Sequence, residues 1–301
     1  MASLEKRLIP TWFPLAGFSA LVVACAAAFA LYVSDARRPI MASTGDLRIW
    51  VLDVGQGDAV FIETPHGRQI LVDGGPGNAV LTKLGELMPP TDRTLDAIVP
   101  THPDSDHVAG LVSVLARYDV AAVYETGLIK DTRVATALSE GIRDEGAQRR
   151  LVKAGDAFKV DGVTFDVLWP DGVLDGKTVS DTNRVGIVLL VRYGDTSVLL
   201  TADTEVEEEV AYAAQVGDVD VLKAGHHGSR TSSSRALLSA VSPEVAVISC
   251  GAKNSYGHPH EEVLARFADL GIGTFRTDLQ GDILIRSSGG EPIVEPAPLP
   301  F

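Results

Sequence analysis

Cysteine is almost absent from this 301-residue chain: Cys25 and Cys250 are the only two, and neither belongs to a Cys-x-x-Cys pair. That excludes a thiolate zinc site and a disulfide framework. Cys25 lies within an apolar segment. Cys250 follows the run Val245-Ala246-Val247-Ile248-Ser249, so it is expected to be a buried small hydrophobe. Basic charge is also scarce, with 26 Lys and Arg against 40 Asp and Glu and a net charge of -14. A surface that coats nucleic acid by counterion release is excluded by that balance, and an anionic substrate needs local help from metals or a few placed cations. Short-period repeats and low-complexity stretches are missing as well. What is present is 46% hydrophobic content, enough for the core of one large domain with an appendage.

The appendage is N-terminal. Residues 15–33 are almost wholly apolar and uncharged, close to the roughly 20 residues that cross a bilayer as a helix. Trp12 and Tyr32 sit near the two ends, where interfacial aromatics are favoured. Residues 1–45 are therefore expected to hold a transmembrane helix, an uncleaved anchor, followed by a linker. A cleaved signal peptide and a lipoprotein signal ending at Val22-Val23-Ala24-Cys25 are the alternatives. The apolar run continuing past Cys25 to Val33 favours the anchor. Charges flanking the segment nearly balance and leave its orientation open.

Residues 46–290 alternate strand and helix patterns, and residues 291–301, rich in proline, are expected to be loosely ordered. Strands are predicted at 47–52, 59–62, 69–72, 97–99 and 120–124, with helices at 79–87, 108–117 and 133–145. The second half repeats the style. Strands are predicted at 163–168, 185–192, 196–200, 219–222, 245–249, 274–275 and 283–285, and helices at 205–215, from 232–234 and at 261–270. Such a pattern predicts a layered α/β sandwich.

The chemistry concentrates in Thr101-His102-Pro103-Asp104-Ser105-Asp106-His107, directly after the apolar run Ala97-Ile98-Val99. Histidine and carboxylate crowded this tightly suit a divalent metal better than a core or an ordinary loop. Two further clusters also close apolar strands: Thr201-Ala202-Asp203, and Lys223-Ala224-Gly225-His226-His227-Gly228-Ser229. A lone Asp after a strand is usually a turn or cap, and an isolated His pair is usually surface decoration. Recurrence at three strand ends instead predicts convergence of these loops on one edge of the sandwich. Lys223 and Ser229 are expected to meet a substrate phosphate. His258, in Tyr256-Gly257-His258-Pro259-His260, is expected to donate a proton to a leaving group or to bind phosphate. Asp58 and Asp73 are expected to orient ligand histidines from behind. His66 is expected in an exposed hairpin turn.

These motifs, with Leu52-Asp53-Val54-Gly55-Gln56-Gly57-Asp58-Ala59, Val72-Asp73-Gly74-Gly75, Asn254-Ser255-Tyr256-Gly257-His258-Pro259 and Arg276-Thr277-Asp278, resemble the metallo-β-lactamase-fold hydrolases. Within them the likeness is to the extracytoplasmic hydrolase domain of ComEC-type DNA-uptake proteins, whose His-x-Asp-x-Asp-His form matches His102 to His107. The resemblance implies a four-layer αββα sandwich and two divalent ions, zinc or manganese. It assigns His102 and Asp104 to one ion, Asp106 and His107 to the other, Asp203 as the bridge, and His226 or His227 to complete the second site. Asp106 and His258 are the expected catalytic groups. It further implies a membrane-anchored, extracytoplasmic phosphodiesterase or nuclease acting on DNA, beside a separate channel protein. A small phosphodiester such as a choline-phosphate or cell-wall ester, a lactone or a β-lactam are alternative substrates, and a catalytically inert assembly partner is the alternative role. One departure from the family falls at Asn183, which is followed by Arg184-Val185-Gly186 where a Ser is usual three residues on.

Overall fold

A computed structural model describes residues 45–298. The apolar segment at 15–33, with Cys25, and the last residues of the tail lie outside the described residues. Among the described residues, no helix is long and apolar enough to cross a membrane.

The first half runs β1 (Leu47–Val51), β2 (Val60–Glu63), β3 (Gln69–Val72), α1 (Ala79–Leu87), β4 (Thr94–Leu95), β5 (Ala97–Val99), α2 (Ser105–Leu115), β6 (Asp119–Val120), β7 (Ala122–Glu125), α3 (Arg133–Glu145) and β8 (Gln148–Leu151). The second half runs β9 (Ala157–Val160), β10 (Val163–Trp169), a 3-10 turn at Asn183–Val185, β11 (Val188–Tyr193), β12 (Thr196–Leu200), α4 (Val206–Ala213) and β13 (Val221–Lys223). After a second 3-10 turn at Gly225–Gly228 come α5 (Arg235–Val241), β14 (Val245–Ile248), α6 (Glu261–Asp269), β15 (Gly273–Arg276), α7 (Thr277–Gln280), β16 (Ile283–Ser287) and β17 (Ile293–Pro296).

Two large sheets result, one of eight strands in the order β17-β16-β1-β2-β3-β5-β7-β8 and one of seven in the order β15-β14-β13-β12-β11-β10-β9, and β4 and β6 form a separate parallel pair. Strand alternation explains how they stack. Leu47, Ile49 and Val51 of β1 point into a core shared with Phe165, Val198, Val221 and Val247 of the other sheet. Trp50 and Leu52 point the other way, onto Leu84, Val108 and Leu138 of the helices α1 to α3. The seven-stranded sheet repeats this, with Leu199, Leu222 and Ala246 packed on Tyr212, Leu237 and Phe267 of α4 to α6. Period-two side chains with both faces apolar give the αββα order.

Strands β3 and β5 pair in parallel, as do β12, β13 and β14. The loops after their carboxyl ends carry the polar motifs, the usual position for a site in an α/β sheet.

Several boundaries differ from the sequence reading. Helix α2 begins at Ser105 rather than 108, because the polar residues of the motif themselves form its first turn. The expected strand 120–124 is split into β6 and β7, and residues 185–187 precede β11 instead of joining it. The tail expected to be loose instead pairs in part, as β17 antiparallel to β16. Edge strand β8, QRRL, is exposed and polar, so it lacks the apolar alternation that marks a strand in sequence, and β17, IVEP, is short and ends on a proline. His66 falls in the turn between β2 and β3, with its side chain exposed.

Candidate metal centre

His102 follows β5, Asp104 occupies the N-cap position of α2, and Asp106 and His107 lie in the helix's first turn. Asp104 keeps extended backbone angles (φ -78°, ψ 145°) and makes no cap bond with its side chain. Its Oδ1 instead accepts from Lys130 Nζ at 2.7 Å and from the Thr182 hydroxyl. His226 and His227 stand at φ +47° and +55°, a left-handed conformation that costs an L-residue roughly 1–2 kcal/mol. Gly228 continues the turn at φ +82°, so close to the next loop that a Cβ there would lie 2.6 Å from Pro259 Cβ.

This bent segment puts the imidazole of His227 against the α2 cluster. Asp106, His107, Asp203 and His227 each offer a ligand atom, and these atoms all lie within 4.8 Å of one another. Nε2 of His107 lies 3.2 Å and Nε2 of His227 lies 3.4 Å from Asp203 Oδ2, and His227 Nε2 is 3.5 Å from Asp106 Oδ2. The His102 ring packs on that of His107, centroids 4.1 Å apart. Nε2 of His102, His107 and His227 and Oδ1 of Asp203 are buried without a hydrogen-bond partner. Buried polar atoms are normally satisfied, so orphaned imidazole nitrogens beside a carboxylate fit a divalent cation. The donor set, nitrogen and carboxylate oxygen without sulfur, is that of first-row divalent metals.

Behind the ligands a second layer fixes their orientation. Asp73 Oδ1 accepts the Thr101 N–H at 2.8 Å, while Oδ2 accepts the Thr101 hydroxyl and His107 Nδ1, each at 2.8 Å. His107 thereby presents Nε2 to the cluster. Nδ1 of His227 donates to the Ser249 carbonyl at 3.1 Å, with Asp58 Oδ1 3.2 Å away. Asp58 is paired with the ammonium of Lys223, whose side chain is only 2% exposed. Asp58, Asp73 and His107 also lie within metal-holding distance of one another, but Lys223 and the Thr101 and His107 donors already engage both carboxylates.

Electrostatics follow the same layout. Burial opposes charge on Asp203, yet His227 and His107 hold its pKa well below the carboxylate range. Burial likewise works against charge on His107 and His227, but Asp203 with Asp73 raises the first well above an ordinary imidazole, and Asp203 with Asp58 raises the second to about 9. Protons thus balance the buried carboxylates when no metal does, and a metal binds in exchange for them. His102 is pushed down to about 3 by burial and by His107, so it is a neutral imidazole.

The pair left open by the sequence is divided. His227 joins the four-donor cluster, and His226, more exposed, lines the cavity wall with Nε2 3.7 Å from Asp203 Oδ2. His258 lines the same cavity, its Nδ1 3.4 Å from Gln56 Nε2. Burial and the neighbouring His227 and His226 lower its pKa to about 4, so at neutral pH it carries no imidazolium proton to donate. Lys223 does not reach the cavity, being spent on Asp58, and Ser229 is buried with its hydroxyl 2.9 Å from that of Thr231. Asn183 lines the cavity with Nδ2 3.5 Å from His226 Nε2. Lys130 and Thr182, which hold Asp104, carried no sequence signal, since neither belongs to a motif or a periodic face. The cavity enclosed by these loops is about 450 Å³.

Similarity to known proteins agrees with this geometry. The chain is 30% identical to ComE operon protein 3 of Bacillus subtilis, over 95% of its own length and 37% of that protein's. It is 34% identical to competence protein ComA of Neisseria gonorrhoeae, over 81% of its length and 33% of that protein's. The chain thus spans about a third of these relatives. The crystal structure of YhfI, a metallo-beta-lactamase fold protein of Bacillus subtilis, superposes with a TM-score of 0.54 at 13% identity, covering 80% of this chain and all of that one, a likeness of fold alone. The profile of the family described as Metallo-beta-lactamase superfamily matches residues 52–252, the stretch that contributes every donor of the cluster, and the chain belongs to that superfamily.

Proposed function

We propose that this protein is a metal-dependent phosphodiesterase acting on nucleic acid, with single-stranded DNA the first substrate to test. The observation that carries the reading is the convergence of Asp106, His107, Asp203 and His227, with their unpartnered nitrogens, at one open cavity. The competence proteins among its relatives support a nucleic-acid substrate.

Asp106, His107, Asp203 and His227 would hold one ion. The second ion expected from sequence would take His102 and Asp104 and share Asp203, and Lys130 and Thr182 engage only Oδ1 of Asp104. Manganese or zinc suits these donors. Such an ion, when bound, supplies a water acidified toward neutrality and a counter-charge for the phosphoryl oxygens. The chain's own groups do the rest. Asp106, the most exposed carboxylate of the cluster, orients the attacking water and accepts its hydrogen bond. Neutral His258, steadied by Gln56, accepts a proton or bonds a phosphoryl oxygen. The Lys130 ammonium brings positive charge to the cavity rim.

A smaller phosphodiester is a second reading, favoured by the engagement of arginines that a long polyanion would need free. Arg230 pairs with Glu262 at 3.7 Å and Arg235 with Asp269. Anchoring through residues 15–33, an extracytoplasmic catalytic domain and a separate channel partner complete the proposal. The test is parallel assay of the purified chain on single-stranded DNA and bis-p-nitrophenyl phosphate with manganese or zinc. Metal-dependent hydrolysis of both is expected, abolished in Asp203→Ala with the fold retained. Hydrolysis of the dye ester without DNA cleavage would assign the small-ester reading, and a folded protein that binds no metal would assign the inert-partner role.

A further inference from the structure

Tyr256 is large, aromatic and 65% exposed, yet it sits on the wall of the catalytic cavity. The backbone that carries it is fastened. The Asn254 side chain fastens its loop at four points: Oδ1 accepts the N–H of Tyr256 at 3.1 Å and of His258 at 2.9 Å, and Nδ2 donates to the carbonyls of Gly251 at 2.8 Å and His258 at 2.6 Å. Gly257 makes the return at φ +79°. One face of the Tyr256 ring lies over the His258 imidazole, centroids 5.7 Å apart and planes inclined by 26°. The exposure of the residue leaves the rest of the ring to solvent. Lys253, exposed on the same loop, has no carboxylate partner among the described residues, unlike Arg230 and Arg235.

An aromatic ring carried on a fastened loop, resting on a neighbouring imidazole and left open beside a reacting centre, suits a flat ligand. The entropy of ordering the loop backbone, which would otherwise oppose binding, has already been lost in folding. In a chain of net charge -14, long-range attraction cannot hold a polyanion, so affinity must come from contacts of short range. Stacking is such a contact, it tolerates any base, and every nucleotide offers a face for it.

Resting on the phosphodiesterase reading, we propose that Tyr256 is the platform for the nucleobase next to the scissile phosphate, with the Lys253 ammonium beside the strand's backbone. The site then selects strands by their bases and grips a base-free phosphodiester poorly. Of the rings that line the cavity, Tyr256 is the most exposed, so its face is the one open to a base.

The experiment measures binding by fluorescence anisotropy for the full metal-loaded chain, with a labelled oligothymidylate and a length-matched abasic strand. Wild type should prefer the base-bearing strand. Tyr256→Ala should weaken it roughly 5- to 100-fold and leave the abasic strand unchanged, and Tyr256→Trp and Tyr256→Phe should restore the preference. Equal affinity of wild type for the two strands, no measurable binding of either, or equal losses on both in Tyr256→Ala would each overturn the platform. Hydrolysis is scored separately. Base-selective binding without cleavage of any phosphodiester would refute the proposed reaction and leave the platform standing, whereas cleavage without base selectivity would do the reverse.

Discussion

Asp73→Asn changes one atom behind the metal cluster, and the hydrogen bonds around that atom make its effect calculable. The carboxylate accepts three donors: the Thr101 N–H, the Thr101 hydroxyl and His107 Nδ1. Asparagine tolerates the φ of +58° at this position as readily as aspartate does, so backbone strain does not enter. If the amide oxygen faces the Thr101 N–H, the amide nitrogen faces His107 Nδ1. That atom must then give up its proton, which moves to Nε2, the nitrogen turned toward the cluster. If the amide is reversed, its nitrogen meets the Thr101 N–H and a buried donor is left unsatisfied, at about 1–3 kcal/mol. In the first case Nε2 loses its lone pair, and in the second Nδ1–H bonds a neutral amide oxygen that leaves the imidazole less basic, so metal affinity should fall roughly 10- to 100-fold, or about 1.4–2.7 kcal/mol. Chelator competition with manganese or zinc measures the change, with circular dichroism reporting on the fold. A folded Asp73→Asn protein with wild-type metal affinity would refute the assignment of His107 Nε2 as a ligand.

Three other substitutions probe the scaffold. Lys223→Met strands the Asp58 carboxylate in the interior and should cost about 3–5 kcal/mol by urea denaturation, with Lys223→Met/Asp58→Asn recovering part of it; no recovery would contradict the ion-pair account. Glu209 is buried and accepts the N–H groups of Ser233 at 2.5 Å and Ser234 at 2.8 Å at the start of α5. Glu209→Ala should therefore lose about 3 kcal/mol without altering metal affinity, and a shift in the urea midpoint worth under about 1 kcal/mol would count against those bonds. In Gly110→Ala the new methyl would lie 1.8 Å from the Gly74 carbonyl oxygen, so α2 must move off the loop after β3. Stability should fall by about 3 kcal/mol or more, and a thermal midpoint equal to wild type would show that the packing is looser than described.

The candidate metal donors were more legible in the sequence than the way they are arranged. Asp106, His107 and Asp203 were legible because each closes an apolar strand or opens a helix, a position that only chemistry or capping explains. His227 could not be told from His226, since the choice depends on two consecutive left-handed residues. Lys223 reads in sequence as a cation that meets a substrate phosphate, whereas its burial depends on Asp58, 165 residues away in sequence. The hold of Lys130 and Thr182 on Asp104 is likewise a tertiary pairing, with no local pattern to announce it. In the fold, the central strands were legible from their apolar runs. Strand β8 was not, because its sequence QRRL at a sheet edge carries the polarity of a loop.

Crystals grown with manganese or zinc, examined by anomalous diffraction at the metal's absorption edge, test the metal centre most directly. An anomalous peak enclosed by Asp106, His107, Asp203 and His227 is expected, and so is its disappearance in Asp203→Ala crystals that keep the fold. A well-ordered structure with saturating metal and no peak among those four side chains would contradict it.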